Sequence, residues 1–144
     1  MPIELIPAAK ISSSGLKAEK MRMEIAANNL ANVNSTRPKG EGLYQRQEVV
    51  FKSVMNNFLS AKTVSDRFGG VQVDSIVNAN REAIEIYNPG HPHADEKGML
   101  KKPDISPIEE MVDMMTAARA YEANLNAMKQ SKEMAKKMLQ FVQG

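Results

Sequence analysis

The chain contains no cysteine and no tryptophan, two histidines, and only 5% aromatic residues in 144 positions. Without cysteine there is no disulfide, no thiol nucleophile and no thiolate metal ligand, and two histidines alone do not make a structural zinc site. The absence of cysteine fixes no compartment. No stretch reaches the roughly 18 consecutive apolar residues of a membrane-spanning helix. The opening MPIELIPAAKISSSG offers neither a basic n-region nor an apolar h-region, so no cleaved secretory signal is expected. Charge of one sign is scarce as well. Nineteen Lys and Arg against 17 Asp and Glu leave a formal +2 without a dense basic block, which argues against a nucleic-acid partner. Glycine-rich phosphate loops, nucleophile elbows and spaced carboxylate pairs are missing, so neither an enzyme nor a cofactor is expected.

What the sequence does have is methionine, 11 residues of it, and two long helical patterns around a middle of different texture. Leu5, Ala9, Leu16, Met23, Ala26, Leu30 and Val33 fall on a 4-3 spaced stripe, interrupted by Ser12 and Glu19, which predicts a helix over 5–34. Gly15 and Ser12–Ser14 weaken its start. Asn32 and Asn34 suit its end because asparagine tolerates the left-handed conformation, and Arg37-Pro38-Lys39-Gly40 stops continuation. The second helix, 106–143, opens on the capping box Ser106-Pro107-Ile108-Glu109. From there Met111, Met114, Ala118, Tyr121, Leu125, Met128, Lys132, Ala135, Leu139 and Val142 alternate spacings of three and four, a heptad pattern of the coiled-coil type.

Between the helices, Glu48–Val54, Val71–Val77 and Ala83–Tyr87 are short, rich in β-branched residues and partly alternating, and read as strands bounded by Gly69-Gly70 and Asn88-Pro89-Gly90. Met55–Phe68 carries no clear pattern. The fold class is therefore α+β: long N- and C-terminal helices that pair antiparallel as a coiled-coil-like layer, with a small central β module. The units are an assembly helix at 1–34, the β module with its loops at 35–105, and a coiled-coil helix at 106–144. Two helices offer each other only one face each, so the pair reads as marginal alone and completed by other chains.

The run His91-Pro92-His93-Ala94-Asp95-Glu96 has metal-ligand residue types, but it follows a turn signal with no partners fixed elsewhere and reads as a solvated loop. Six methionines lie between Met111 and Met138. Core filling is one reading, but packing against several non-identical neighbours suits flexible thioethers better. A third, membrane-surface binding through Lys129, Lys132, Lys136 and Lys137, is diluted by Glu109, Glu110, Asp113, Glu122 and Glu133. The amides of Asn28, Asn29, Asn32 and Asn34 disfavour a helix interior. Spacing leaves two readings open, a capped and frayed last turn or a polar, hydrogen-bonding bend made the same way in every subunit.

The stretch Ala27-Asn28-Asn29-Leu30-Ala31-Asn32-Val33-Asn34-Ser35-Thr36 resembles the N-terminal signature of bacterial flagellar axial proteins of the rod and hook. Glu109-Glu110-Met111-Val112-Asp113-Met114-Met115, followed by Ala118-Arg119-Ala120-Tyr121-Glu122-Ala123-Asn124, is similar to their C-terminal signature. The short length, the Pro38–Tyr44 spacing and Tyr87-Asn88-Pro89-Gly90-His91-Pro92 with Ala94-Asp95 and Gly98 resemble a proximal member of the basal-body rod family, and Met55–Gly70 reads as an insertion in it. The resemblance implies a structural subunit of the drive shaft that crosses the periplasm, exported through the flagellar type III apparatus without a cleaved signal. Its partners would be copies of itself, other rod proteins and the adaptor at the rod base, with no membrane insertion. Leu16, Met23, Leu30 and Val33 on the first helix would form the assembly interface. On the second helix the stripe from Met111 to Val142, without Lys132, would do the same. Another flagellar rod component, or a self-contained helical adaptor or chaperone-like module, is the alternative.

Overall fold

The computed structural model describes residues 7–38, 42–54 and 69–143. Helix α1 spans Pro7–Ala31, strands β1 and β2 span Gln47–Val54 and Gly70–Asn78, β3 and β4 span Ile84–Tyr87 and Met99–Lys102, and helix α2 spans Pro107–Gln143. Leu5, the side chain of Val142 and residues 55–68 of the presumed insertion lie outside the described residues.

Both helices begin on a proline, whose fixed φ suits the first helical position and whose missing N–H is no loss there. At α2 the Ser106 hydroxyl accepts from the Glu109 amide at 3.5 Å, as the capping pattern expects. The end of α1 differs from expectation. Among the described residues no side-chain-bearing residue has positive φ, so neither Asn32 nor Asn34 is left-handed. Instead the Asn32 amide group turns back to donate to the Asn28 carbonyl at 2.9 Å, and the Ser35 hydroxyl donates to the Asn32 carbonyl at 2.9 Å. These bonds satisfy carbonyls that the last turn leaves free.

The helices run antiparallel: Gly15 lies against Asn124 at one end, and Asn29 bonds Glu110 at the other. Hairpin β1–β2 lies along α1, since Val71 N–H donates to the Ser14 hydroxyl and Asn29 bonds the backbone of Gln47. The lengths agree, because 15 residues of helix and seven steps of strand both cover about 22–23 Å. So α1 is the shared element, with α2 and the hairpin both packed on it.

Among the described residues the small central β module is made of two two-stranded antiparallel sheets, with four strands where the sequence showed three. In β1–β2 the register slips between Val50 and Phe51, leaving Asp74 as the extra residue of a bulge. Strand β4 was not anticipated, because Met-Leu-Lys-Lys is too short to show a period. It pairs Ile84 with Lys102 and Tyr87 with Met99. The turn between β3 and β4 requires Gly98, whose φ of 75° disfavours side-chain-bearing residues and whose Cβ would meet Tyr87 and Pro89 at 3.0 Å. Asn34 and Thr36 brace this second hairpin to the end of α1. Lys102 donates to the Asn34 side chain at 3.2 Å, and Thr36 and His93 meet at 3.0 Å.

Candidate assembly interface and its polar latch

Most of the side chains buried on α1 and α2 are small or polar. On α1 the buried positions are Ser12, Ala18, Ile25, Ala26 and Asn29, and on α2 they are Glu110, Ala117 and Ser131. Gly15 completes the set, because a Cβ there would stand 2.9 Å from the Asn124 amide nitrogen. Glu110, Ala117, Asn124 and Ser131 are seven residues apart, so the heptad seam read from the sequence exists but is turned one residue toward the small side chains. Small residues let two backbones approach closely, whereas Met and Leu at those positions would hold them apart.

The residues expected at the assembly interface therefore border this seam. Leu16, Met23, Leu30 and Val33 on α1, and Met114, Ala118, Tyr121, Leu125, Met128 and Ala135 on α2, are half-buried. Met111 and Leu139 are exposed, together with Ile108, Val112, Met115, Met134, Met138 and Phe141. Large apolar side chains thus stand exposed at both ends of α2, while the buried positions of the pair are mostly alanine, serine and asparagine, with Ile25 and Glu110. Exposed apolar patches of this kind are typical of interaction sites.

At the other end of the pair sits a buried polar cluster that joins three elements. Asn29 and Glu110 are each 1% exposed. The Asn29 side-chain amide donates to Glu110 Oε2 and to the Gln47 carbonyl, both at 2.9 Å. Its oxygen accepts from the Gln47 N–H at 2.9 Å and from the Tyr44 hydroxyl at 2.8 Å. Arg46, 9% exposed, donates from Nε to Glu110 Oε1 at 2.5 Å and also pairs with Glu48. Arg22 on α1 donates to Asp113 on α2 at 2.7 Å. Burial works against the Arg46 cation, but the Glu110 hydrogen bond and the charges of Glu110, Glu48 and Asp113 outweigh it and raise its pKa above the usual value. Burial, aided by Glu110, raises the Tyr44 hydroxyl, so it stays a donor. An open cleft of about 360 Å³ borders the cluster between α1, β1 and α2. Its polar groups bond one another, which suits a fixed joint rather than a reacting centre.

Of the family-signature positions, Asn29 and Glu110 meet in this latch, Asn124 meets Gly15, and Asn32 and Asn34 serve the turn after α1. Asn28, Ala31, Met111 and Arg119 are exposed, and Leu30 and Tyr121 are half-buried. Of the asparagine run, Asn32 serves the last turn, as the capping reading expects, while Asn29 bonds from a buried position inside the helix. Sequence reasoning missed Arg46, Tyr44, Arg22 and Asp113 as members of the cluster, since nothing local marks them. The 91–96 run is a loop of turns whose residues are half-buried or exposed. His93 N–H donates to His91 Nδ1 at 3.1 Å, and Asp95 accepts from the Lys97 and Met99 amides. Among the described residues no three His, Asp or Glu side chains converge as metal ligands.

Two family profiles match the ends of the chain. That of "Flagella basal body rod protein" covers residues 10–39, and that of "Flagellar basal body rod FlgEFG protein C-terminal" covers residues 96–141. Among curated relatives, the flagellar basal-body rod protein FlgC of Borreliella burgdorferi is 35% identical, over 97% of this chain and 99% of the relative. FlgC of Aquifex aeolicus is 38% identical over 91% and 92%, and FlgC of Bacillus subtilis 34% identical over 90% and 93%. The matched ends are α1 with its asparagine turn and β4 with most of α2, the parts that build the seam and the latch, and the chain belongs to the FlgC-like flagellar basal-body rod proteins.

Proposed function

We propose that the chain is a mechanical subunit of the proximal rod, a drive shaft crossing the periplasm, and that it acts by packing rather than by catalysis. The observation that carries this is the helix pair with small residues inside and large apolar residues outside. A pair built this way has little core of its own and a large face for neighbours, namely copies of itself, other rod proteins and the adaptor at the rod base. The helices complete their order when these neighbours cover them, which lets the chain leave through the flagellar export apparatus without a cleaved signal. Contacts that use two different faces do not close, which is what a helical shaft needs.

The test is swimming in a strain whose only copy of this rod protein carries Met111→Asp or Leu125→Asp. Both variants are expected to express and to abolish swimming. Met111 is exposed in the chain itself, so its substitution leaves the monomer intact and reads the neighbour contact alone. Normal swimming in both variants overturns the reading.

A further inference from the structure

Two surfaces at opposite ends of α2 carry the same kind of apolar side chain and opposite charge. Near its start Ile108, Met111, Val112 and Met115 are exposed at helical spacings that place them on one face. Ile108 and Val112 also line a concavity of about 440 Å³ shared with the carboxylates of Glu48, Glu109 and Asp113. These carboxylates pair with arginines of the same chain, Glu48 with Arg46, Glu109 with Arg81 and Asp113 with Arg22, and with buried Glu110 the group keeps one net negative charge. At the far end Met134, Met138, Leu139 and Phe141 are exposed, Phe141 to 87%, beside Lys132, Lys136 and Lys137. The first half of α2 holds Glu109, Glu110, Asp113 and Glu122 against Arg119, while the second holds Lys129, Lys132, Lys136 and Lys137 against Glu133.

The geometry of the pair says why no described residue of α1 lies against the far end. In both Gly15–Asn124 and Asn29–Glu110 the residue numbers add to 139, so Pro7 stands level with about residue 132. Beyond that level α2 continues to Gln143 with no described residue of α1 opposite it. This overhang, 133–143, has the length of the first three turns of the same helix, 107–117.

We infer that the basic, apolar overhang of α2 docks on the acidic, apolar start of α2 in a second copy of this chain, 133–143 over 107–117, with the helices parallel. The offset is 26 residues, about 39 Å. The inference rests on the rod reading and specifies which face of one copy meets which face of the next. Opposite charges pair across the contact, and each copy keeps one free patch of each kind, so addition continues. An antiparallel pair would also match charge, but it would lay the full length of both helices together. The middle of α2 exposes Arg119, Glu122, Asn126, Lys129 and Gln130, and its large apolar residues Tyr121, Leu125 and Met128 are only half-exposed, so the two ends offer the barest apolar faces.

The absence of native cysteine provides the test. In the full chain, Val112→Cys with Met138→Cys, oxidised by air at low salt, is expected to give a ladder of dimers, trimers and longer products on a non-reducing gel. The ladder should shrink in 1 M salt, where screening acts within about 3 Å. It should vanish with Lys132→Glu, Lys136→Glu and Lys137→Glu, and partly return when Glu109→Lys is added. Monomer alone, a product that stops at the dimer, or a ladder indifferent to the charge reversals each overturns the contact. Because the swimming test of Met111→Asp is independent, monomer alone together with a non-swimming strain refutes this contact and leaves the rod reading standing.

Discussion

Replacing Glu110 by alanine removes the carboxylate to which Arg46 and Asn29 both donate, at 2.5 and 2.9 Å. Arg46 is then a nearly buried cation held only by Glu48 and, at 3.9 Å, by Asp113. Breaking a buried pair on one side costs about 3–5 kcal/mol, and the remaining carboxylates place the expected loss near the lower figure, about 3 kcal/mol. Asn29 keeps its two bonds to Gln47, so it adds little. A loss of that size raises the equilibrium for opening this end of the helix pair about a hundredfold. The assay is amide hydrogen exchange on the purified chain, followed in peptides over residues 25–31, 44–50 and 107–113. Protection should fall about a hundredfold in all three together, because the cluster ties α1, β1 and α2 at one point. Replacing both partners, Arg46→Met with Glu110→Leu, should restore most of it, since no charge is then left buried. Unchanged protection in Glu110→Ala, or a double variant as exposed as the single one, refutes the reasoning.

Three further outcomes follow from local geometry. Gly15→Ala should lower the thermal midpoint despite alanine's better helix propensity, because the Asn124 amide stands 2.9–3.1 Å from the new Cβ. Adding Asn124→Ala should recover the loss and gain up to about 1 kcal/mol, and a raised midpoint in Gly15→Ala alone contradicts the close approach. Gly98→Ala should cost about 1–2 kcal/mol in thermal denaturation through its positive φ and its contacts with Tyr87 and Pro89, and an unchanged midpoint would sink that view. The Tyr44 hydroxyl has a raised pKa, so above its ordinary value of 10 the folded chain holds the proton that the unfolded chain releases. Its contribution is thus complete below pH 10 and lost as pH rises through the folded value, and the stability gap between the native chain and Tyr44→Phe should narrow there in denaturant titrations. A gap that stays constant to high pH contradicts it.

How much of this was legible in the sequence depends on how local each feature is. Helix α2 announces itself through Ser106, Pro107 and a heptad, because caps and periodicity are written in neighbouring residues. The seam's position was one residue off. Hydrophobic periodicity points to where large side chains lie, and here the closest contact selects Ala117, Asn124 and Ser131 instead. Strands β1 and β2 are visible as β-branched runs, but their separation from β3 is a matter of which edges pair, which composition does not encode. The latch was half visible. Asn29 and Glu110 stand in the family signatures, but Arg46 reaches Glu110 across 64 residues, and only the folded chain brings them together.

The two ends of the helix pair are joined in different ways. At the Asn29 end, charged and amide groups on three elements interlock through short directional bonds. Toward the Gly15 end the described contacts include a glycine against an asparagine side chain and the Val71 N–H on the Ser14 hydroxyl. Directional bonds resist sliding, while contacts between small side chains allow it. Each subunit is therefore a beam clamped at its root and compliant toward its tip. A twisting load strains the tip first, so the stiffness of an assembled shaft depends on how firmly neighbours grip that tip.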